Sequence, residues 1–393
     1  MRVLLVNDYA TAGGGAEGQV RRLRDGLRAR GHEVRLVASD ARWVPGPVLA
    51  DATCRGTTAP RRMVARQTLN PSALRLLRTE LARFRPDVVH VRMFLTQLSP
   101  LLLPPLRDVP SVYHVAFYEA VCPKGTKLLP DGTRCTDPWG RACLRHRCLT
   151  PQTWAAKTLQ LGLVRRWRGA FDRVLALSGA VRRRLEEDGW GDVEVLPNGV
   201  DERPARPPLT GPPTLLFAGR LVREKGADVA VAALAELPGV RLLVAGAGPQ
   251  AGALAEQARR LGVADRVRLL GHVDRAVLER HADVAWVQVV PGRWEEPFGN
   301  VVTEAMMRGT AVVASDLGGP GETVRPGVTG ALVPPGDAAA LAAALRPLVG
   351  DRALAERQGR AGRDVALTSY SQARVLDRVE QVHRELAAAR AGG

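Results

Sequence analysis

The feature that most constrains this chain is an alternation. Short runs rich in Val, Leu and Ala recur between amphipathic helical patterns of roughly 10–15 residues. An apolar run too short for a helix reads as a strand buried on both faces, and a helix between successive strands makes their pairing parallel. The pattern opens at Arg2 to Val6, passes through a helix ending near Gly31, and returns in HEVRLVAS, RPDVVHV, PSVYHV, FDRVLALS and VEVLPNGV. ERPARPPLTGPP (202–213) then places five prolines in twelve residues, the strongest linker in the chain. Beyond it the alternation restarts in TLLFAG, VRLLVAG, VRLLGHV, VAWVQVV, TAVVAS and GALVPP. The chain is therefore expected to be α/β, with two doubly wound parallel-sheet domains over 1–201 and 214–370. A C-terminal helix over 371–393 is expected to pack back on the first domain. Such sheets bind ligands beyond the carboxyl ends of their strands, and domain junctions favour pockets, so a central cleft is expected.

The 393 residues suit two domains, and no apolar run reaches the ~18–20 residues of a membrane span. MRVLLVNDY reads as a strand start and lacks the features of a signal peptide, so a cytoplasmic enzyme is expected. Charge is uneven. Residues 1–200 carry 32 Lys and Arg against 18 Asp and Glu, a net +14, whereas residues 201–393 carry 24 against 22. Only four of the basic residues are lysine, so an arginine-rich composition weakens any nucleic-acid reading and none is expected. The asymmetry instead suggests an anionic acceptor or peripheral association with an anionic membrane; solvated helix faces are the plainer alternative.

Gly13, Gly15 and Gly18 imitate a dinucleotide-binding fingerprint, with Asp40 at the distance of a ribose carboxylate. DYATA separates Val6 from Gly13, which is too long for the tight turn of that motif. A glycine-rich anion or substrate loop opening a helix is the preferred reading; a plain turn and an NAD site are the alternatives.

In the second half, Arg220 and Lys225 follow the strand TLLFAG, where two cations can grip a diphosphate. Lys225 is the only lysine after residue 200. PGRWEEPFGNVVTEAMMRG (291–309) lies between two strands. Glu296, before Pro297, is placed on a loop, and Glu304 on a helix starting near Asn300. Phe298, Gly299 and Asn300 then form a helix N-terminus with unpaired N–H groups, suited to a phosphate or to sugar hydroxyls. Two surface glutamates near a helix start are the plain alternative.

Taken together, GRLVREKG, VAGAGP, LLGHV, PGRWEEPFGNVVTEAM, ASDLGGPGETV and TGALVPPGD resemble the donor domain of retaining glycosyltransferases of family 4, which have the GT-B fold. GGGAE, RARGHEV, RPDVVHV, the strand with His114 and LPNGVD resemble the acceptor domain more loosely. The resemblance implies a nucleoside-diphosphate-sugar donor, a hydroxyl acceptor, retention at the anomeric carbon and no catalytic metal or other cofactor. Arg220 and Lys225 would neutralise the diphosphate, and Glu296 would bind donor-sugar hydroxyls. The Phe298–Gly299–Asn300 backbone would hold sugar and phosphate, and Glu304 the ribose. Val273 would lie near the base, Gly14 and Gly15 near the diphosphate, and His114 would face the sugar. The chain departs from the family pattern at Pro291-Gly292, where Pro-Ser is common, and at Val115, where an acidic residue usually follows the histidine. It contains no Asp-x-Asp, the metal-holding pattern of metal-dependent glycosyltransferases. A nucleotide-sugar 2-epimerase of the same fold is the alternative enzyme, an NAD-dependent oxidoreductase a more distant one, and a non-catalytic sugar-nucleotide binder a third.

Residues 119–150 break the alternation and carry Cys122, Cys135, Cys143 and Cys148. Four clustered cysteines in a cytoplasmic chain are a candidate set for structural zinc, with His146 as a substitute ligand. No C-x-x-C occurs, and free thiols or disulfides are the alternatives.

Overall fold

Seven parallel strands build one sheet: β1 (Arg2–Val6), β2 (Glu33–Ser39), β3 (Ala52–Cys54), β4 (Val88–Val91), β5 (Ser111–Val115), β6 (Arg173–Ala176) and β7 (Val193–Val195). Their order is β3-β2-β1-β4-β5-β6-β7. Six more build a second: β8 (Thr214–Ala218), β9 (Arg241–Ala245), β10 (Val267–Gly271), β11 (Val287–Val290), β12 (Ala311–Ser315) and β13 (Gly330–Val333), in the order β10-β9-β8-β11-β12-β13. These are the two parallel sheets that the alternation predicts. The computed structural model describes residues 1–11, 15–42 and 46–391.

The chain divides into two units. The first comprises Met1–Pro130, Cys135–Gly199 and Gln372–Gly393; the second comprises Asp131–Arg134 and Val200–Ser371. In each sheet the strand order reverses beside the first strand of the unit, between β1 and β4 and between β8 and β11. The connections leaving those neighbours diverge, which opens a crevice at the carboxyl edge.

Side chains of a strand alternate between faces, and the first sheet uses both. Leu4, Val6, Val89 and Val91 enter one core with Leu77, Phe94 and Tyr113. Val3, Leu5, Val88 and Val112 enter the other with Val20 and Leu27. The helix Gly15–Ala29 buries Val20, Leu23 and Leu27, one helical stripe. The C-terminal helix Gln372–Ala391 adds Val375, Leu376, Val379, Val382 and Leu386 to the same core. An ion pair between Arg30 and Asp377 at 2.8 Å flanks this contact. In the second unit the central strands are equally buried, with Leu215, Phe217, Val287, Val289 and Val313 in one core. The edge strand β10 is not, and the helix Arg275–Val284 that follows it in sequence buries no residue fully.

Within residues 119–150 the regular elements are a single turn, Tyr118–Ala120, and a short helix, Arg141–Arg145.

Candidate functional site

Two loops meet at the carboxyl edge of the second sheet because glycines let their backbones touch. Gly226, at φ +72°, leaves no room for a Cβ against the Pro291 carbonyl, so the loop after β8 lies directly on the loop after β11. The Arg293 N–H donates to the Glu224 carbonyl at 2.9 Å. The Arg293 guanidinium forks onto Asp228 at 2.6 and 2.7 Å, which locks the pair of loops.

This junction brings Lys225 and Glu296 together. The Lys225 ammonium donates to Glu296 Oε1 at 2.6 Å and lies 5.2 Å from the centroid of the buried Trp294 ring. Both partners remain partly open, at 20% and 15% side-chain exposure, so a ligand can reach them. Arg220 stands exposed on the same loop as Lys225. Glu295, next to Glu296, has a different fate. It is buried and pairs with Arg134 at 3.1 Å, so of two adjacent glutamates one is structural and the other faces the site.

The helix Asn300–Arg308 starts behind Glu296. Gly299 precedes it in the left-handed region, at φ +84°, and no side chain caps it. The Phe298 side chain is buried, so this segment offers its backbone. The first-turn N–H groups of such a helix are anion donors. The loop is fixed from below: Gly319 N–H donates to the Glu296 carbonyl at 2.8 Å. A Cβ on Gly318 would come within 2.7 Å of the Glu296 nitrogen.

Glu304 sits one turn into this helix. Its Oε1 accepts from Arg275 at 3.2 Å, and Arg275 also donates to Glu279 at 2.9 Å. Arg275 and Glu304 line a narrow apolar cavity with Leu216, Ala218, Leu278 and Gln288. Val273 is half-buried among the apolar residues at this end, including Leu278 and Ala282. Arg275 escaped the sequence reading because nothing in the spacing ties it to Glu304; the two are 29 residues apart.

Gly14 lies outside the described residues, as does Gly13. Gly15 begins its helix and is exposed. Asp40 accepts the Gly56 N–H at 2.6 Å.

His114 lies within β5 and is 2% exposed. Arg92 donates to its Nδ1 at 2.6 Å. Nδ1 is therefore an acceptor, which makes Nε2–H the donor to the Leu196 carbonyl at 2.8 Å. Both ring nitrogens are engaged within the unit. Burial, then the Arg92 charge, holds the ring well below the usual histidine range, so it is neutral. Arg92 continues to Asn198 at 2.9 Å. Beside it, His90 Nδ1 meets His383 Nε2 of the C-terminal helix at 3.0 Å. Burial and the neighbouring His32 push His383 down to about 3.

The four clustered cysteines line one small cavity, with His146 at its edge. All are free thiols. Burial raises the Cys143 and Cys148 thiols above their ordinary value. His146 turns instead to Asp137, at 2.7 Å. Among the described residues no three His, Cys, Asp or Glu side chains stand as a metal-ligating group, so the expected structural zinc is not supported.

Comparison with known proteins adds to this geometry. Residues 13–203 match the family model described as Glycosyltransferase Family 4, and residues 201–365 match that of Glycosyl transferases group 1. The chain is 32% identical over 311 residues to a glycogen synthase of Mycobacterium tuberculosis, covering 76% of this chain and 69% of that protein. It is 30% identical over 413 residues to a phosphatidyl-myo-inositol mannosyltransferase of Mycobacterium leprae, covering 98% and 97%. Among solved structures, Anabaena HepE in complex with UDP superposes with a TM-score of 0.73 at 19% identity, covering 98% of this chain and 100% of that one. No helix among the described residues is long and apolar enough to cross a membrane.

Proposed function

The chain belongs to glycosyltransferase family 4, enzymes of the GT-B fold that use nucleotide-sugar donors, and from that premise we propose a specific reaction. It moves a glycosyl group from a nucleoside-diphosphate sugar to a hydroxyl of an acceptor received by the first unit. The anomeric configuration is retained and no metal ion takes part. The observation that carries this reading is the Lys225–Glu296 pair, poised between an exposed Arg220 and an uncapped helix N-terminus.

In the ligand-free chain Glu296 neutralises Lys225. A donor diphosphate takes over Lys225 and Arg220, which frees Glu296 for the hydroxyls of the donor sugar. Glu304 holds the ribose once Arg275 yields. As the bond from the anomeric carbon to phosphate oxygen breaks, negative charge grows on the diphosphate. Two cations and the first-turn N–H groups of the helix Asn300–Arg308 stabilise it where it develops. The departing phosphate oxygen takes the proton of the acceptor hydroxyl, so no protein base is required. His114, neutral and engaged at both nitrogens, fits a supporting role better than a chemical one.

UDP-, GDP-, ADP- and TDP-sugars are to be screened by thermal shift, followed by assay of diphosphate release with EDTA present. A stabilising donor, turned over with EDTA present to a product of unchanged anomeric configuration, supports the proposal. An absolute requirement for added divalent metal, or an inverted product, overturns it. The net +14 of residues 1–200 further suggests peripheral docking on an anionic membrane, where each basic residue adds at most ~1 kcal/mol. Salt-sensitive co-sedimentation with anionic but not neutral vesicles is the expected result.

A further inference from the structure

The irregular segment 119–150 sends four residues to the second unit. Asp131–Arg134 belong to that unit, whereas the residues on either side belong to the first. The four form a tight turn. Asp131 Oδ1 accepts the Thr133 N–H at 2.8 Å and the Thr133 hydroxyl at 2.7 Å, and Gly132 takes φ +91°. A short polar side chain closing on its own backbone, beside a left-handed glycine, shapes such a turn without help from a strand or helix.

The turn touches both loops of the candidate site. On the loop after β8, a Cβ on Gly132 would stand 3.5 Å from Cζ of Arg223, which lies two residues before Lys225. On the loop after β11, the Arg134 Nε lies 3.1 Å from Oε2 of Glu295, the residue before Glu296. The Glu295 side chain is 3% exposed, so its carboxylate is held inside the protein against this cation. Pro291 to Gly299 form neither helix nor strand, so tertiary contacts set the course of this loop. The Arg293 guanidinium fixes its start on Asp228, and the Gly319 N–H fixes the Glu296 carbonyl. Arg134 ties the chain between those two points. A buried carboxylate that loses its cation is strongly disfavoured, so without Arg134 the Glu295 side chain turns toward water. Glu296 precedes Pro297, which favours extended backbone, and neighbouring side chains on extended backbone face opposite ways. A rotation that frees Glu295 therefore turns Glu296 off Lys225.

We propose that Arg134 is a positioning residue for glycosyl transfer. Its ion pair with Glu295 keeps Glu296 directed at the donor sugar, while Gly132 seats the turn against the loop of Lys225. The inference rests on the reading above that Glu296 meets the donor sugar. Arginine suits the task, because its delocalised charge is more weakly hydrated than an ammonium and its planar fork fixes the direction of the pair. The tip of the irregular segment thus acts on the direction of a sugar contact, whereas Lys225 and Arg220 act on the charge of the diphosphate.

Hydrogen exchange and kinetics on the full chain test this. In ligand-free Arg134→Ala, the amides of 291–299 are expected to exchange roughly tenfold faster through local opening, while those of β11 and β12 are unchanged. For the UDP-, GDP-, ADP- or TDP-sugar that is turned over, kcat/KM is expected to fall ~10–100-fold, the scale of a misplaced contact, with calorimetric affinity for the matching bare diphosphate within about twofold of wild type. Arg134→Lys, which keeps a charge, recovers part of the loss. In a Glu296→Ala background, Arg134→Ala should add less than about twofold, because the group it directs is already gone. Exchange over 291–299 that is equal in wild type and Arg134→Ala overturns the inference. So do equal losses of sugar donor and bare diphosphate, or a loss that persists in full without Glu296, since either is what a merely structural arginine gives. Wild type that binds no nucleoside diphosphate counts against the donor reading, and exchange over 291–299 then decides whether Arg134 fixes the loop.

Discussion

The carboxyl edges of the two sheets have the same topology and opposite chemistry. In the second unit the edge carries charged side chains that remain partly open and pair with one another, Lys225 with Glu296 and Arg275 with Glu304. In the first unit the corresponding charged and polar groups are buried. Arg92, His114 and Asn198 form one buried chain, His90 and His383 another, and Asp8 is spent on backbone N–H groups. An open ion pair is worth little in water and exchanges readily for a ligand. A buried network resists rearrangement, because each group removed orphans another. The second edge is thus built to trade partners and the first to stay fixed.

The largest expected effect falls on the open side. Lys225→Ala should lower turnover ~10²–10³-fold, the loss typical of removing one preorganised electrostatic contact, with little change in melting temperature. Steady-state rates of diphosphate release measure it. Near-normal turnover would mean that the pair is merely a surface salt bridge.

His114→Ala should do the reverse. It orphans the Arg92 guanidinium and the Leu196 carbonyl and opens a cavity, at a cost of about 3 kcal/mol in stability. Diphosphate affinity should survive. Chemical denaturation beside calorimetry checks both halves of that statement. Unchanged stability with lost turnover would return this histidine to the chemistry and erase the contrast.

Acid should weaken the first unit. His90, His114 and His383 are held below their ordinary value of about 6.5, so the unfolded chain binds protons that the folded one refuses. Their stabilisation is complete above about pH 6.5 and is lost as pH falls toward the folded values. For His383, down at about 3, the loss between pH 7.5 and 5 is ~2 kcal/mol. Melting curves over that range should steepen in their fall below pH 6.5, and His383→Phe should flatten them.

The two glutamates divide more gently. Glu304→Ala should weaken binding of bare nucleoside diphosphate about tenfold, a change of ~1.4 kcal/mol. Glu296→Ala should spare it and damage only use of the intact sugar donor. Equal losses in both variants would collapse the assignment. Smallest of all, Arg275→Ala should shift diphosphate affinity only severalfold, since the exposed pair it breaks is worth at most ~1 kcal/mol.

The candidate site of the second unit could be drawn from the sequence because its residues are local in sequence. Glu296, Phe298, Gly299, Asn300 and Glu304 lie on one loop and the helix it opens, so spacing alone sets their order. Arg220 and Lys225 share a single loop. The first unit was read less well. Its strands were plain from their apolar runs, but His114 reads the same whether it points at a ligand or at Arg92. Residues 119–150 lack periodicity, and the cysteines there proved to line a cavity as thiols without forming a metal site.

The sequence by itself determined the two parallel sheets, because burial of both faces of each strand is written into contiguous Val and Leu runs. It also determined the charged inventory of the loops after β8 and β11. Only the tertiary structure decided which partner each charge takes. Glu295 went to Arg134 while Glu296 went to Lys225, and Glu304 went to an arginine 29 residues away. Pairings of that kind depend on backbone approach across strands. Gly226 beneath Pro291 and Gly318 beneath Glu296 permit that approach, and no local pattern records it.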